Sequence, residues 1–175
     1  RDNKDKPFFL FWPTTVPHLA LQVPDDSLAE YVGKFDDPPY KGGKGYLPHF
    51  TPRAAYAAMI TRMDEDIGRI LDQLKRYNLE TNTLIFFTSD NGAPLKGKKD
   101  VPISSPGGAW DGSLNDPLNG EKGTLLEGGI RVPFIVFWPA GLPAGKVYDR
   151  PVSSLDIAAT ALAVSGQPHD AKLDG

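Results

Sequence analysis

The chain contains no cysteine among its 175 residues. Disulfides, thiolate metal sites and cysteine nucleophiles are therefore excluded for this sequence, while the compartment is left open. No apolar run approaches the roughly 20 residues that a membrane span requires. The opening hexapeptide, RDNKDK, is wholly polar and does not read as a signal peptide, and no Met starts it. A processed or truncated chain is expected from that opening. A strong charge of one sign is lacking as well: the formal net charge is −3. That gives no general drive toward nucleic acid or an anionic membrane, because phosphate binding takes a clustered basic surface. The one dense basic patch, Lys96, Lys98 and Lys99, reads as a solvated loop.

What is present is ordinary globular material. Hydrophobic residues make up 40% and charged residues 23%, enough for the core of one domain. The 18 Gly and 17 Pro gather mainly in 33–52 and 92–123. Long loops of this kind on a rigid frame often carry function.

PFFLFWP (7–13) is a short apolar run closed by Pro and reads as a buried strand. The Pro-bounded stretch 14–26 reads as a loop, and 27–50 as irregular with a short helix at 27–33. Residues 51–78 hold the clearest helix: Thr51 can cap it and Pro52 suits its first position. Tyr56, Met59, Ile60, Met63, Ile67, Ile70, Leu71 and Leu74 follow one helical face. Lys75 and Arg76 suit the negative end, and Asn78 a left-handed exit. TLIFFTS (83–89) and VPFIVFWP (132–139) read as two more buried strands. In 153–166, Ser153 with Asp156 forms a capping box and Gly166 a C-terminal stop. Strands apolar on both faces, alternating with helices, predict an α/β fold with a largely parallel sheet. Ligands in such folds lie beyond the carboxyl ends of strands. That points to the loop with His18 and to Asp90-Asn91.

Asp90-Asn91-Gly92 admits two readings. All three residues are turn formers. A carboxylate and an amide carbonyl also suit a hard cation such as Ca²⁺ or, less well, Mg²⁺. His18, just past the first run, is either a packing residue or a proton donor near neutral pH. Lys122, among glycines in NGEKGTLLEGG, is either an exposed loop lysine or the holder of an anionic group. Glu127 and Arg131 are expected to pair and brace the Gly-Gly turn. His49 and His169 receive no role.

The order of these segments is more specific than any one of them. A strand followed by PH, a helix and strand ending in TSDNG, and then GEKGTLLEGGIRVP resembles the sulfatase family, in its arylsulfatase and N-acetylgalactosamine-6-sulfatase-like branch. The resemblance covers nearly the whole chain, including TPRAAYAAMITRMDEDIGRIL and SSLDIAATALAVSG. It implies an alkaline-phosphatase-like sandwich, incomplete in this chain. It implies Asp90 and Asn91 as the second pair of Ca²⁺ ligands, His18 as a sulfate contact that helps the leaving oxygen depart, and Lys122 as a holder of sulfate oxygens. The implied substrate is a sulfated small molecule or sulfated glycan, and the implied compartment periplasmic, secreted or lysosomal.

The sequence also departs from the family. The family nucleophile is a formylglycine made from Cys or Ser in a C/S-x-P-x-R motif. No Cys is present, and SSPGG (104–108) lacks the Arg. The family's first pair of metal-binding aspartates and its Lys/His pair beside the formylglycine are also missing. The expectation is a later portion of a sulfatase catalytic domain, with the formylglycine in an upstream segment, inactive alone. It is also expected to be open to self-association through an exposed sheet edge. Trp110 and the lysines of the 93–121 loop are expected to line the substrate cleft. A related phosphoesterase and a non-catalytic binding module are the alternatives.

Overall fold

The computed structural model describes residues 5–43, 45–95, 114–168, 172 and 174. In chain order the elements are α1 (Asp25–Ala29), α2 (Pro52–Arg76), β1 (Ile85–Thr88), α3 (Glu127–Ile130), β2 (Phe134–Phe137) and α4 (Leu155–Val164), with one 3₁₀ turn at Glu80–Asn82. They divide into two compact units. One comprises Arg1–Leu79 with Asn91–Arg131, the other Glu80–Asp90 with Val132–Gly175.

The first unit is built on α2. Pro52 occupies its first turn, as the sequence predicts. Thr51 does not cap it with its side chain. Asp37 does so from a distance: its two carboxylate oxygens accept the N–H groups of Arg53 at 2.7 Å and Ala54 at 2.9 Å. A carboxylate there satisfies two orphan donors and meets the positive end of the helix dipole. At the other end Asn78 is left-handed at φ 58°, and its N–H reaches Lys75 O while Leu79 N–H reaches Leu74 O. This pair of bonds is a Schellman exit.

Burial on α2 is confined to its first half, at Pro52, Ala54, Ala55, Ala58 and Met59. Ala55 and Met59 form the core with Leu21, flanked by Val16, Leu19, Val23, Leu28, Tyr40 and Tyr56. The predicted stripe beyond Met59 is only half-buried, and Ile60 is exposed. The partners of α2 explain this: α1 and the 16–23 loop lie on the early turns. Tyr31 Oη to Thr61 Oγ1 at 2.6 Å, and Arg62 to Ser27 Oγ at 3.1 Å, fasten the α1 region there.

The run 7–13 forms no strand, contrary to the sequence reading. Phe9 is 82% exposed and Phe11 74%. The run has no ladder among the described residues, and Pro7 and Pro13 remove a backbone donor at each end.

The second unit contains the sheet. β1 and β2 pair antiparallel, from Ile85 opposite Phe137 to Thr88 opposite Phe134. A largely parallel sheet is thus not what these strands make. Their apolar composition suggested two covered faces, yet three of the four β2 residues are exposed. Strand direction is set by how the chain returns, and composition does not encode it. Phe86 and Phe134 meet edge to face across the pair, at 6.1 Å between ring centroids. In the same unit, α4 starts with the predicted capping box: Ser153 N–H donates to Asp156 Oδ2 at 2.6 Å, and Leu155 N–H to Ser153 Oγ at 3.2 Å. It ends at Gly166, φ 71°, in a second Schellman pair from Gly166 N–H to Ala163 O and Gln167 N–H to Leu162 O.

Candidate active site

Three segments of the first unit interlock around Lys122. The first is 91–95, directly after the motif Asp90-Asn91. The second is the turn at 119–124, and the third is the Gly128-Gly129 pair in α3. Gly92 N–H donates to Gly129 O at 2.9 Å, Lys122 N–H to Ala93 O at 3.2 Å, and Gly128 N–H to Asn119 O at 2.6 Å. Backbones approach so closely that a Cβ on Gly92 would lie 1.8 Å from Gly128 O. Only glycine fits such a crossing.

Polar side chains complete the knot. Asn115 accepts Ala93 N–H at 3.0 Å and donates to Ala93 O at 2.8 Å and Gly120 O at 3.0 Å. Glu121 is 3% exposed, and its Oε2 accepts Leu95 N–H at 2.6 Å. Lys122 and Gly123 are the two central residues of a tight turn, with Gly123 at φ 88°. Thr124 closes it: its N–H donates to Glu121 O at 3.0 Å, its Oγ1 donates to the same oxygen at 2.8 Å, and Oγ1 accepts Glu121 N–H at 3.1 Å. A glycine with positive φ as the second central residue is what a type II turn demands. Lys122 is therefore held at a turn tip. Glu127 and Arg131 pair at 3.4 Å, as the sequence suggests, but exposed to solvent. Such a pair is worth less than about 1 kcal/mol.

His18 stands in another turn of the same unit. Its N–H donates to Thr15 O at 2.8 Å, and its ring lies 5.8 Å from that of Tyr46. Nδ1 is 2.6 Å from Leu19 O. A carbonyl oxygen only accepts, so Nδ1 carries a proton and Nε2 is the atom left for a substrate.

Asp90 and Asn91 straddle the boundary of the two units. Asp90 is exposed and Asn91 half-buried. The Asn91 amide nitrogen donates to Gly92 O at 3.0 Å, which leaves the oxygen as its ligand-type atom. Two oxygen donors fit a hard cation in kind and fall short in number of the 6–8 that Ca²⁺ takes. Among the described residues no group of three or more His, Cys, Asp or Glu is arranged to hold a metal. The structure thus brings the segment after Asn91 together with Lys122, and keeps the contacts of His18 in its own turn and the 40–49 loop. Lys96, Lys98, Lys99, Trp110 and SSPGG lie outside the described residues. Asn115, Glu121 and Thr124 were not singled out by sequence. Their one local signal is the spacing of Thr124 three residues after Glu121, across Lys-Gly.

The Sulfatase family matches residues 1–167. The chain belongs to that family. It is 33% identical to human N-acetylgalactosamine-6-sulfatase over its full length, covering 28% of that protein. It is 39% identical to human steryl-sulfatase, covering 99% of this chain and 26% of that protein. The solved structure of Ps i-CgsB in complex with k-i-k-neocarrahexaose superposes with a TM-score of 0.70 at 33% identity, over 91% of this chain and 30% of that one. The chain thus spans little more than a quarter of the length of these curated relatives. Among the described residues no helix is long and apolar enough to cross a membrane.

Proposed function

We propose that this chain is part of a hydrolase of sulfate esters, with an aryl or sugar sulfate as substrate and a sulfated glycan favoured. The observation that carries the reading is Lys122 at the tip of a turn pinned to the segment that follows Asp90-Asn91. An ammonium held there meets the oxygens of a sulfate group as a fixed point charge, with little reorganisation. His18 donates a proton from Nε2 to the departing alkoxide oxygen, while its Nδ1–H stays on Leu19 O. Asp90 and Asn91 supply oxygen ligands to Ca²⁺, with the remaining ligands from outside this sequence. An ion held by them would offset negative charge on the sulfate oxygens. The nucleophile is a formylglycine from outside this sequence, which has no Cys. This chain alone is then inactive. Within the complete enzyme it forms part of an alkaline-phosphatase-like sandwich in a periplasmic, secreted or lysosomal compartment. The neocarrahexaose held by a structural relative supports a glycan substrate.

The test is to express the full reading frame with a formylglycine-generating enzyme and assay sulfate release from aryl and carbohydrate sulfates. Release that falls in His18→Ala and Lys122→Ala supports the reading. Formylglycine confirmed by mass spectrometry with no release from any sulfate ester overturns it. Phosphate ester hydrolysis exceeding sulfate ester hydrolysis, with zinc bound, replaces it by the related phosphoesterase.

A further inference from the structure

We propose that Glu121 is a positioning residue: its buried carboxylate, through the Leu95 amide, fixes the turn that presents Lys122 to the sulfate group. The inference rests on the reading of Lys122 given above. Three observations lead to it.

Glu121 is the sole buried charged residue among those described, at 3% exposure. A carboxylate is costly to bury unless a hydrogen bond compensates it. An apolar side chain would avoid that cost but leave the buried Leu95 N–H without its acceptor. Second, the carboxylate is spent on one backbone donor, Leu95 N–H, at 2.6 Å. A hydrogen bond to an ionised acceptor is about twice as strong as a neutral one. It joins segments 26 residues apart, so it acts on tertiary placement. Third, the backbone of Glu121 is the base of the Lys122 turn. All three bonds that close the turn run between Glu121 and Thr124. Lys122 N–H then adds its own bond to Ala93 O, two residues from Leu95. Glu121 and Lys122 therefore grip the same segment, one by side chain and one by backbone. The Glu121–Leu95 bond joins the Lys122–Ala93 and Asn115–Gly120 bonds in holding the turn against rotation, and it is the one made by a charged side chain. With the turn free to rotate, the flexible four-carbon stem of Lys122 would sweep its ammonium over a wide arc.

The prediction concerns the complete enzyme. Glu121→Ala is expected to lower kcat for sulfate ester hydrolysis by about 10- to 100-fold. Its affinity for inorganic sulfate, measured as product inhibition, falls with it. Glu121→Gln keeps an acceptor for Leu95 N–H and recovers activity to within several-fold of wild type. The double variant Glu121→Ala/Lys122→Ala is no worse than Lys122→Ala alone, because the carboxylate acts through the lysine. Amide exchange at Leu95 quickens in Glu121→Ala and not in Glu121→Gln. If Glu121→Ala does not fold, Thr124→Val loosens the same turn with the shape kept, and the same non-additivity with Lys122→Ala is required. Losses that add in the double variants, or unchanged kcat and sulfate affinity in Glu121→Ala, overturn the positioning role and leave the sulfatase reading intact. Unchanged hydrolysis in Lys122→Ala overturns the sulfate-holding role of Lys122 and the positioning role with it; no release from any sulfate ester by the wild-type enzyme overturns the sulfatase reading.

Discussion

A single missing methyl group decides whether the Lys122 knot can form. Gly92 crosses Gly128 so closely that a Cβ would sit 1.8 Å from the carbonyl oxygen and 2.8 Å from the carbonyl carbon. Both are backbone atoms and cannot swing aside. Gly92→Ala is therefore expected to cost at least about 1–3 kcal/mol and to displace the segment that Lys122 and Glu121 hold. Urea unfolding and a sulfate release assay on the full enzyme check it; a variant with wild-type stability and rate would contradict the crossing. Gly68 is the contrast. A Cβ there meets nothing within 4 Å, in the interior of α2. Gly68→Ala is expected to stabilise by about 0.5–1 kcal/mol through helix propensity alone. A loss of stability would mean that another part of the enzyme packs on that spot. At this scale the sequence was legible in kind and not in role. Asp90-Asn91-Gly92 announced oxygen donors and a turn, but the reason for Gly92 lies 36 positions on, in a backbone that no local pattern describes.

The two long helices, α2 and α4, were read well because their ends are written locally; α3 was read as a linker and α1 was placed at 27–33 in place of Asp25–Ala29. Pro52 starts α2, Asn78 ends it, Ser153 with Asp156 opens α4, and Gly166 closes it. Each acts within one turn of its own position. The cap of α2 was missed for the opposite reason: Asp37 reaches Arg53 and Ala54 from 16 and 17 residues upstream. Strand direction and the fate of 7–13 depend on distant partners in the same way. Asp37→Ala should cost about 1–2 kcal/mol, and Asp37→Asn less, since an amide still accepts one of the two bonds. Thermal unfolding of the variants measures this, and an unchanged midpoint in Asp37→Ala would show that water satisfies the helix start equally well. A second property of α2 is visible only with pH. Tyr56 packs against the core, and burial raises its phenol above the ordinary tyrosine range. The folded state then holds this proton more tightly than the unfolded chain does. Its contribution to stability is complete below the unfolded value, near 10, and is lost as pH rises through the higher folded value. Tyr56→Phe should therefore lose less stability than wild type between pH ~9 and ~11, other groups titrating alike in both. Parallel unfolding curves across that range would contradict the burial.

At the scale of the molecule the salient property of the described residues is exposed apolar surface. Phe9 and Phe11 stand largely in solvent, and among the described residues the β1–β2 ribbon has two strands, each with an open edge. A two-stranded ribbon is marginal by itself, and an open apolar edge templates pairing with another chain. In the longer family members these surfaces have more chain available to cover them, since this sequence spans only 26–28% of the relatives' length. The same physics gives a whole-chain expectation. The 175-residue chain expressed alone should self-associate in sedimentation velocity at micromolar concentration, and more so in salts that strengthen apolar burial. Phe9→Lys with Phe11→Lys should shift it toward monomer, because the two residues carry the most exposed apolar surface of the run. Supplying the rest of the enzyme as a second chain should compete with that association and protect the same run from protease. A monomeric wild-type chain, or association untouched by both lysines, would place the sticky surface elsewhere. The β2 face would then be next to test, through Ile135→Lys, since Ile135 is 58% exposed in the sheet.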